Sequence, residues 1–367
     1  MFVIMRTKRM SRRSPIEKER MNMKEVIRTI EELVSIPSPT GSTKEAITYV
    51  EKRLVAEGIT YRKLEKGAIL ATLPGASTRT RLLTAHVDTL GAMVKEILPT
   101  GRLRLSQLGG YAWTAIEGEN CLIHKMDGQT VSGTIVFHHS SVHTSRETNK
   151  TERSADNIEV RLDIRSTTAE ETRVAGIEVG DIVTFDPRFL YTETGFVKSR
   201  HLDDKASVAL LLELIKEWKT IELPHTVQIL ISNYEEVGFG GNAGFTDEVA
   251  EYIAVDMGAL GDGQHSDEFT VSICAKDGSG PYDLALRHQL TRLAQRNSIL
   301  YKVDIYPFYS SDASAAVSAG HDVRHGLFGP GIESSHSYER THETSLQATY
   351  DLLHAYVKEP MVDEDTV

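Results

Sequence analysis

The chain has 367 residues, 40% of them hydrophobic and 25% charged, which is globular composition with length for one large core or two modest ones. A net charge of −11 argues against non-specific nucleic-acid binding, which needs clustered Lys and Arg to replace condensed counterions. Cys121 and Cys274 are too few for a disulfide framework or a Cys-based zinc site, and the only apolar run near the N-terminus, residues 2–5, is too short for a signal peptide, so the expectation is a soluble cytoplasmic protein with no membrane partner.

Residues 1–22 are basic and Met-rich. Arg6, Lys8, Arg9, Arg12 and Arg13 could dock an anionic partner, but a disordered tail, or an upstream start codon ahead of Met21 or Met23, is the simpler reading. From Met23 the spacing of Val26, Ile30, Leu33 and Val34 predicts a helix that Pro37 and Pro39 stop. A second helix begins near Thr43, with Glu45 close behind Ser42 and Thr43, an apolar stripe of Ala46, Ile47, Val50, Leu54 and Val55, and Gly58 at its end. Strands follow at 68–72 and 81–86, and the second delivers His86 to its C-terminal end, where open α/β sheets place ligands.

Between residues 95 and 193 the pattern changes to short strands, including 102–105, 131–138 and 182–185, separated by Gly, Asn and Asp. Residues 140–156 read as a long exposed loop, and His138, His139 and His143 lack the carboxylate or Cys companions of a metal site. Beyond residue 198 helices and strands alternate again: a helix at 206–218, strands at 226–232 and 252–256, and a small-residue helix at 312–319 capped by Ser310 or Ser311. The expected architecture is an α/β sheet flanked by helices and interrupted by a β module, divided as 1–22, 23–94, 95–193 (the module) and 194–367.

Candidate ligands for metal ions stand beside strand ends and turns: His86, Asp203, Glu236, Asp256 and His336. Borderline divalent ions accept imidazole nitrogen and carboxylate oxygen, and two close ions need a carboxylate that bridges them. In His86-Val87-Asp88 the strand period puts both side chains on one face, so Asp88 can accept the second ring N–H. Alone, that pair reads as a surface turn. Adjacent Asp203 and Asp204 opening an apolar helix repel unless a cation or the helix N-terminus compensates. Of Glu235 and Glu236, set before a glycine turn, one acid can ligate while the other acts as base; solvated loop acids are the plain alternative.

Together these elements resemble the cocatalytic metallo-aminopeptidases that include glutamyl aminopeptidase, deblocking aminopeptidases and the tetrahedral, self-compartmentalising aminopeptidases. The resemblance covers nearly everything from Met23 onward and rests on HVDTLGAMVKEI, GRLRLSQLGG, GIEVGDIVTFDPRF, SRHLDDKAS, SNYEEVGFGG, AVDMG, VSICAKDGSGPYD and GPGIESSHSYERTH in that order. It implies an α/β catalytic domain with an inserted small β-barrel, and two divalent metal ions (Zn, Co or Mn) per subunit. Asp203 then looks like the bridge, His86 and Asp256 like ligands of one ion, and Glu236 and His336 like ligands of the other. Glu235 looks like the general base, Asp88 like the catalytic-site partner of His86, and Asp204 like the residue after a strained peptide that could be cis. Residues 276–281 resemble a loop lining the substrate pocket. Thr89 stands where many relatives carry Glu and Lys205 where many carry Arg, and His342 is a rival to His336.

The implied reaction is release of N-terminal residues from peptide substrates, by a metal-bound water that Glu235 deprotonates, in a homo-oligomer of which a dodecamer is one form. A related two-metal dipeptidase or carboxypeptidase is the near alternative. Glycosidases also use paired carboxylates, about 5 Å or 6.5–9.5 Å apart, but that scheme leaves His86, Asp256 and His336 without a role. A non-catalytic reading, with structural metals and an interaction module, leaves Glu235 without one.

Overall fold

The computed structural model describes residues 23–362. The basic segment 1–22 therefore lies outside the described residues. At the centre is a nine-stranded mixed sheet. Its order is Thr60–Lys63, Ile69–Leu73, His225–Ser232, Ser77–His86, Val249–Val255, Arg324–Ile332, Val271–Lys276 and Tyr301–Ile305, with Gly258–Ala259 paired beside Arg324–Ile332. The four middle strands, from His225–Ser232 to Arg324–Ile332, run parallel. Their C-terminal ends consequently meet along one edge. They are buried almost throughout, as strands covered on both faces must be.

Helices Met23–Val34, Lys44–Ala56, Leu202–Trp218, Leu284–Arg296 and Glu343–Lys358 supply the apolar residues of the main core. Leu202–Trp218 is buried on nearly every side, so its run Val208, Ala209, Leu210, Leu211, Leu212 needs no polar face. In the Lys44–Ala56 helix the expected stripe holds except at Val55, which is 60% exposed. The Thr43 hydroxyl makes no capping bond there and instead accepts from Asn233 Nδ2 at 3.1 Å.

The inserted module is a closed six-stranded barrel, built from Gly91–Ile97, Leu103–Leu108, Asn120–His124, Thr130–Phe137, Ile158–Leu162 and Ile182–Phe185. It has its own core, including Val94, Leu105, Ile123, Ile135, Phe137, Val160 and Val183. The chain enters it directly from His86 and leaves it through the small sheet Leu190–Tyr191, Phe196–Ser199 and Glu339–His342. That small sheet pairs Ser199 with Glu339, which brings the Asp203 segment beside the loop carrying His336. Among the described residues no helix is long and apolar enough to cross a membrane.

Candidate metal centre

Three of the four parallel strands end at a candidate residue: Ser77–His86 in His86, Val249–Val255 one residue before Asp256, and His225–Ser232 three residues before Glu235. Arg324–Ile332 leads into the loop of His336, whose backbone has φ +64°. Asp203 comes from the first turn of Leu202–Trp218, where Asp203 (ψ 102°) and Asp204 (φ −122°) depart from helical geometry. The Asp203–Asp204 peptide is cis.

These residues converge. Asp203 Oδ1 lies 3.3 Å from His86 Nε2, while its other oxygen, Oδ2, lies 3.5 Å from His336 Nε2. His86, Asp203 and Asp256 each offer a ligand atom within 4.8 Å of the others. Glu236 Oε2 stands 3.4 Å from His336 Nε2, and Glu235 Oε2 stands 3.7 Å from His86 Nε2. A cavity of about 220 Å³ opens over them, lined by Asp203, Glu235, Glu236, Asp256, Asp312 and His336 together with Phe308 and Tyr309. A larger one of about 470 Å³ lies at the junction with the barrel and touches none of the candidate ligands.

Burial sets the electrostatics. It pushes Glu235 well above the carboxylate range, helped by the charge of Asp256. Burial likewise raises Glu236 to about 8 and Asp256 to about 7, with Asp203 adding to both. Burial opposes the ionised form of Asp203 too, but the adjacent imidazoles of His336 and His86 prevail and hold it below the usual range. Burial disfavours the charged form of His336, which Asp203 and Glu236 nonetheless raise to about 10. Glu235 and Glu236, unlike Asp203, thus favour their protonated forms, and divalent cations would displace those protons. The donor set fits such ions: imidazole nitrogen and carboxylate oxygen on opposite sides of one carboxylate, with the buried Nε2 of His86 making no hydrogen bond.

Asp88 meets the His86 ring and also holds the turn of Glu235 and Glu236. His86 Nδ1 lies 2.9 Å from the Asp88 backbone carbonyl and 3.5 Å from its carboxylate. The Asp88 carboxylate also accepts the amides of Glu235 (3.2 Å) and Glu236 (3.3 Å) and the Thr40 hydroxyl (2.7 Å). Asp204 Oδ2 accepts the His86 amide at 3.3 Å. Lys205 turns away and donates to the carbonyls of Leu33 and Ile36. His342 caps the last helix and meets Thr344 and Thr194, so of the two rival histidines only His336 stands in the cluster. His138 meets the Asn157 carbonyl in the barrel, away from it.

Two residues of the site escaped sequence reasoning. Glu339 accepts the amides of Asp203 and His336, both at 3.1 Å, and so ties these two residues together. Its only signal was an acid three places after His336. Buried Asp312 accepts the Gly241 amide at 2.7 Å and the Ser232 hydroxyl, fixing the turn behind Glu235 and Glu236. In the sequence it read only as the start of a short helix.

The α/β sheet with its barrel insertion thus carries, at its strand ends, a His and carboxylate cluster of the kind that can hold divalent metal ions. Residues 67–352 match the model of the M42 glutamyl aminopeptidase family. YhfE of Bacillus subtilis (strain 168), provisionally named an aminopeptidase, is 54% identical over 344 residues, covering 93% of this chain and 99% of that one. The structure of the Pyrococcus horikoshii TET1 peptidase, described as able to assemble into a tetrahedron or a large octahedral shell, superposes with a TM-score of 0.80 at 24% identity over 91% of this chain and 100% of that one. An aminopeptidase from Desulfurococcus kamchatkensis gives 0.82 at 19% identity over 92% and 96%. The chain belongs to the M42 glutamyl aminopeptidase family and is a peptide hydrolase.

Proposed function

We propose that this enzyme is a two-metal aminopeptidase, with Asp203 bridging, His86 and Asp256 completing one metal site, Glu236 and His336 completing the other, and Glu235 as general base. The observation that carries it is the orientation of Asp203, whose two oxygens face two different histidines. Two divalent ions held there would polarise the scissile carbonyl and lower the pKa of an attacking water toward neutrality. Glu235, beside His86 yet partly open to the cavity, accepts the water's proton as its oxygen bonds to the carbonyl carbon. When the C–N bond breaks, the same carboxyl returns that proton to the departing amine. Asp88 and Glu339 hold these groups in place through their backbone amides. The acidic side chains lining the cavity offer partners to a peptide's free ammonium end.

Metal analysis is expected to find two ions per chain at saturating Zn²⁺, Co²⁺ or Mn²⁺, with hydrolysis of aminoacyl-arylamides lost on chelation and restored on reloading. One ion or none, or turnover only of N-blocked peptides or cellodextrins, overturns the reading. By the same reading the chain forms a homo-oligomer as the TET1 peptidase does; a monomer mass in light scattering of that preparation contradicts it. Buried, unpaired Cys121 and Cys274 suit a reducing compartment, which we take to be the cytoplasm.

A further inference from the structure

The turn at residues 276–281 lies outside the lining of the 220 Å³ cavity, which uses residues 308–312 instead. The turn acts from behind. Asp277 is fully buried; its Oδ1 accepts the amides of Ser279 (2.7 Å) and Gly280 (3.1 Å), and its Oδ2 accepts the hydroxyls of Tyr282 (2.8 Å) and Ser314 (2.6 Å). The Tyr282 hydroxyl lies 2.9 Å from that of Ser311. The Gly278 amide donates to the Tyr309 carbonyl at 2.8 Å, and a Cβ on Gly278 would stand 3.0 Å from that oxygen and 3.2 Å from the Pro307 carbonyl. So a turn tied together by the buried Asp277 carboxylate meets the backbone of Tyr309.

What this clamp holds is a phenol at the reaction cavity. The Tyr309 ring packs against Tyr306 at 5.4 Å between centroids. Its buried hydroxyl lies beside the Asp256 carboxylate without forming a well-aligned hydrogen bond, and Tyr309 lines the cavity shared by Asp203, Glu235, Glu236, Asp256 and His336. Buried polar groups are almost always paired, and one left open beside reactive groups points to a partner that arrives with the substrate. A phenol, with an ordinary pKa of about 10, carries its proton at neutral pH and can act as a donor.

We propose that the Tyr309 hydroxyl donates a hydrogen bond to the scissile carbonyl oxygen of the bound peptide, and a stronger one to the negative charge that develops there as water attacks. This rests on the peptidase reading of the site. A fixed donor of this kind, aimed where charge appears, typically contributes ~10²–10³-fold to the rate. Because the bond strengthens with the charge, its loss falls on kcat more than on KM. The competing role is structural: the hydroxyl would serve only to position Asp256.

The test is Tyr309→Phe in the full-length, metal-loaded enzyme, with metal content, thermal melting, kcat, KM, and affinities for an α-aminophosphonate and for the product amino acid. The expected result is unchanged metal content and melting, kcat lowered ~10²-fold or more, KM nearly unmoved, and phosphonate affinity falling while product affinity stays. Gly278→Ala, which keeps the hydroxyl but displaces its backbone, is expected to lower kcat with metal retained. Unchanged kcat in Tyr309→Phe overturns the proposal; so does loss of metal with equal weakening of both inhibitors, which makes Tyr309 a positioning residue for Asp256. A wild type inactive on every aminoacyl-arylamide would instead remove the peptidase reading beneath it.

Discussion

Glu235 and Glu236 are neighbours in sequence whose amides share one acceptor, the Asp88 carboxylate, yet their side chains face different histidines. On the proposed reading, divergence of adjacent side chains would let one acid ligate and the next move a proton. Glu235→Gln is expected to keep both metals and lower kcat by ~10²–10⁴, because the amide keeps the size of the carboxylate but cannot accept a proton. Glu236→Gln is expected to weaken metal binding by more than the ~10–100-fold typical of losing an outer partner of a ligand. Titrating metal into both variants and measuring turnover at saturation separates them, and the reverse pattern would exchange the two roles. That these residues would come together was legible in the sequence, because ligand chemistry restricts residue types to His, Asp and Glu at strand ends. Asp88 was legible as a site residue but not in its contacts, since period-two spacing gives a face and not the atom that is bonded. Glu339 and Asp312 act by accepting backbone amides, which any acid near a turn could do, so their composition carries no signal.

The helices were easier to read than the strands. Apolar residues at helical spacing marked Met23–Val34, whereas Arg324–Ile332 contains Gly326, Gly329, Pro330 and Gly331, which argue against a strand in the sequence. The structure explains one of them: a Cβ on Gly329 would meet the Asp256 carbonyl oxygen at 2.0 Å, so only glycine allows that strand to pass Asp256. Val55 was misassigned because helical spacing alone does not fix how wide the buried stripe is. Three helices are joined by Glu213, which accepts from Thr29 at 2.9 Å and from Lys216 at 2.5 Å and pairs with Arg53. Burial opposes the ionised form of Glu213, but Lys216, Thr29 and Arg53 together lower its pKa from the ordinary 4.5. The folded pKa is therefore the lower one, so the stabilisation is fully present above the unfolded value and is lost as pH falls through the folded one. Glu213→Gln is expected to destabilise by about 1–3 kcal/mol near neutrality, with the difference from wild type shrinking as pH drops below about 4. Urea melts across that range check it; a difference independent of pH would show that the charge of Glu213 is not involved.

Across the molecule, reaction and stability are placed at opposite ends of the same strands. His86 ends Ser77–His86 on the cavity side, while Arg81, five residues earlier, is fully buried nearer the other end. Its Nε donates to Glu251 Oε2 at 2.8 Å, and its Nη1 donates to the carbonyls of Tyr356 and Glu359, each at 2.6 Å. Glu251 also accepts from the Tyr356 hydroxyl at 2.6 Å and the Val362 amide at 2.8 Å. This group fastens the last helix and the segment after it to two neighbouring strands of the central sheet. The barrel, with a separate core, contributes nothing to it. Sequence patterning does not show the clamp, because Arg81 only opens the expected strand 81–86 and Glu251 falls just before the expected strand 252–256, and only parallel pairing of their strands, with Arg81 opposite Glu251, brings them together. Removing one partner of a buried ion pair leaves the other charge uncompensated and typically costs about 3–5 kcal/mol. Arg81→Met is therefore expected to lower the unfolding free energy by about that amount, measured by urea denaturation of the metal-free protein. Metal affinity and kcat measured well below the melting temperature should stay near wild type, since no atom of the clamp touches a ligand. A large fall in metal affinity without loss of stability would mean that the two ends of the sheet are coupled.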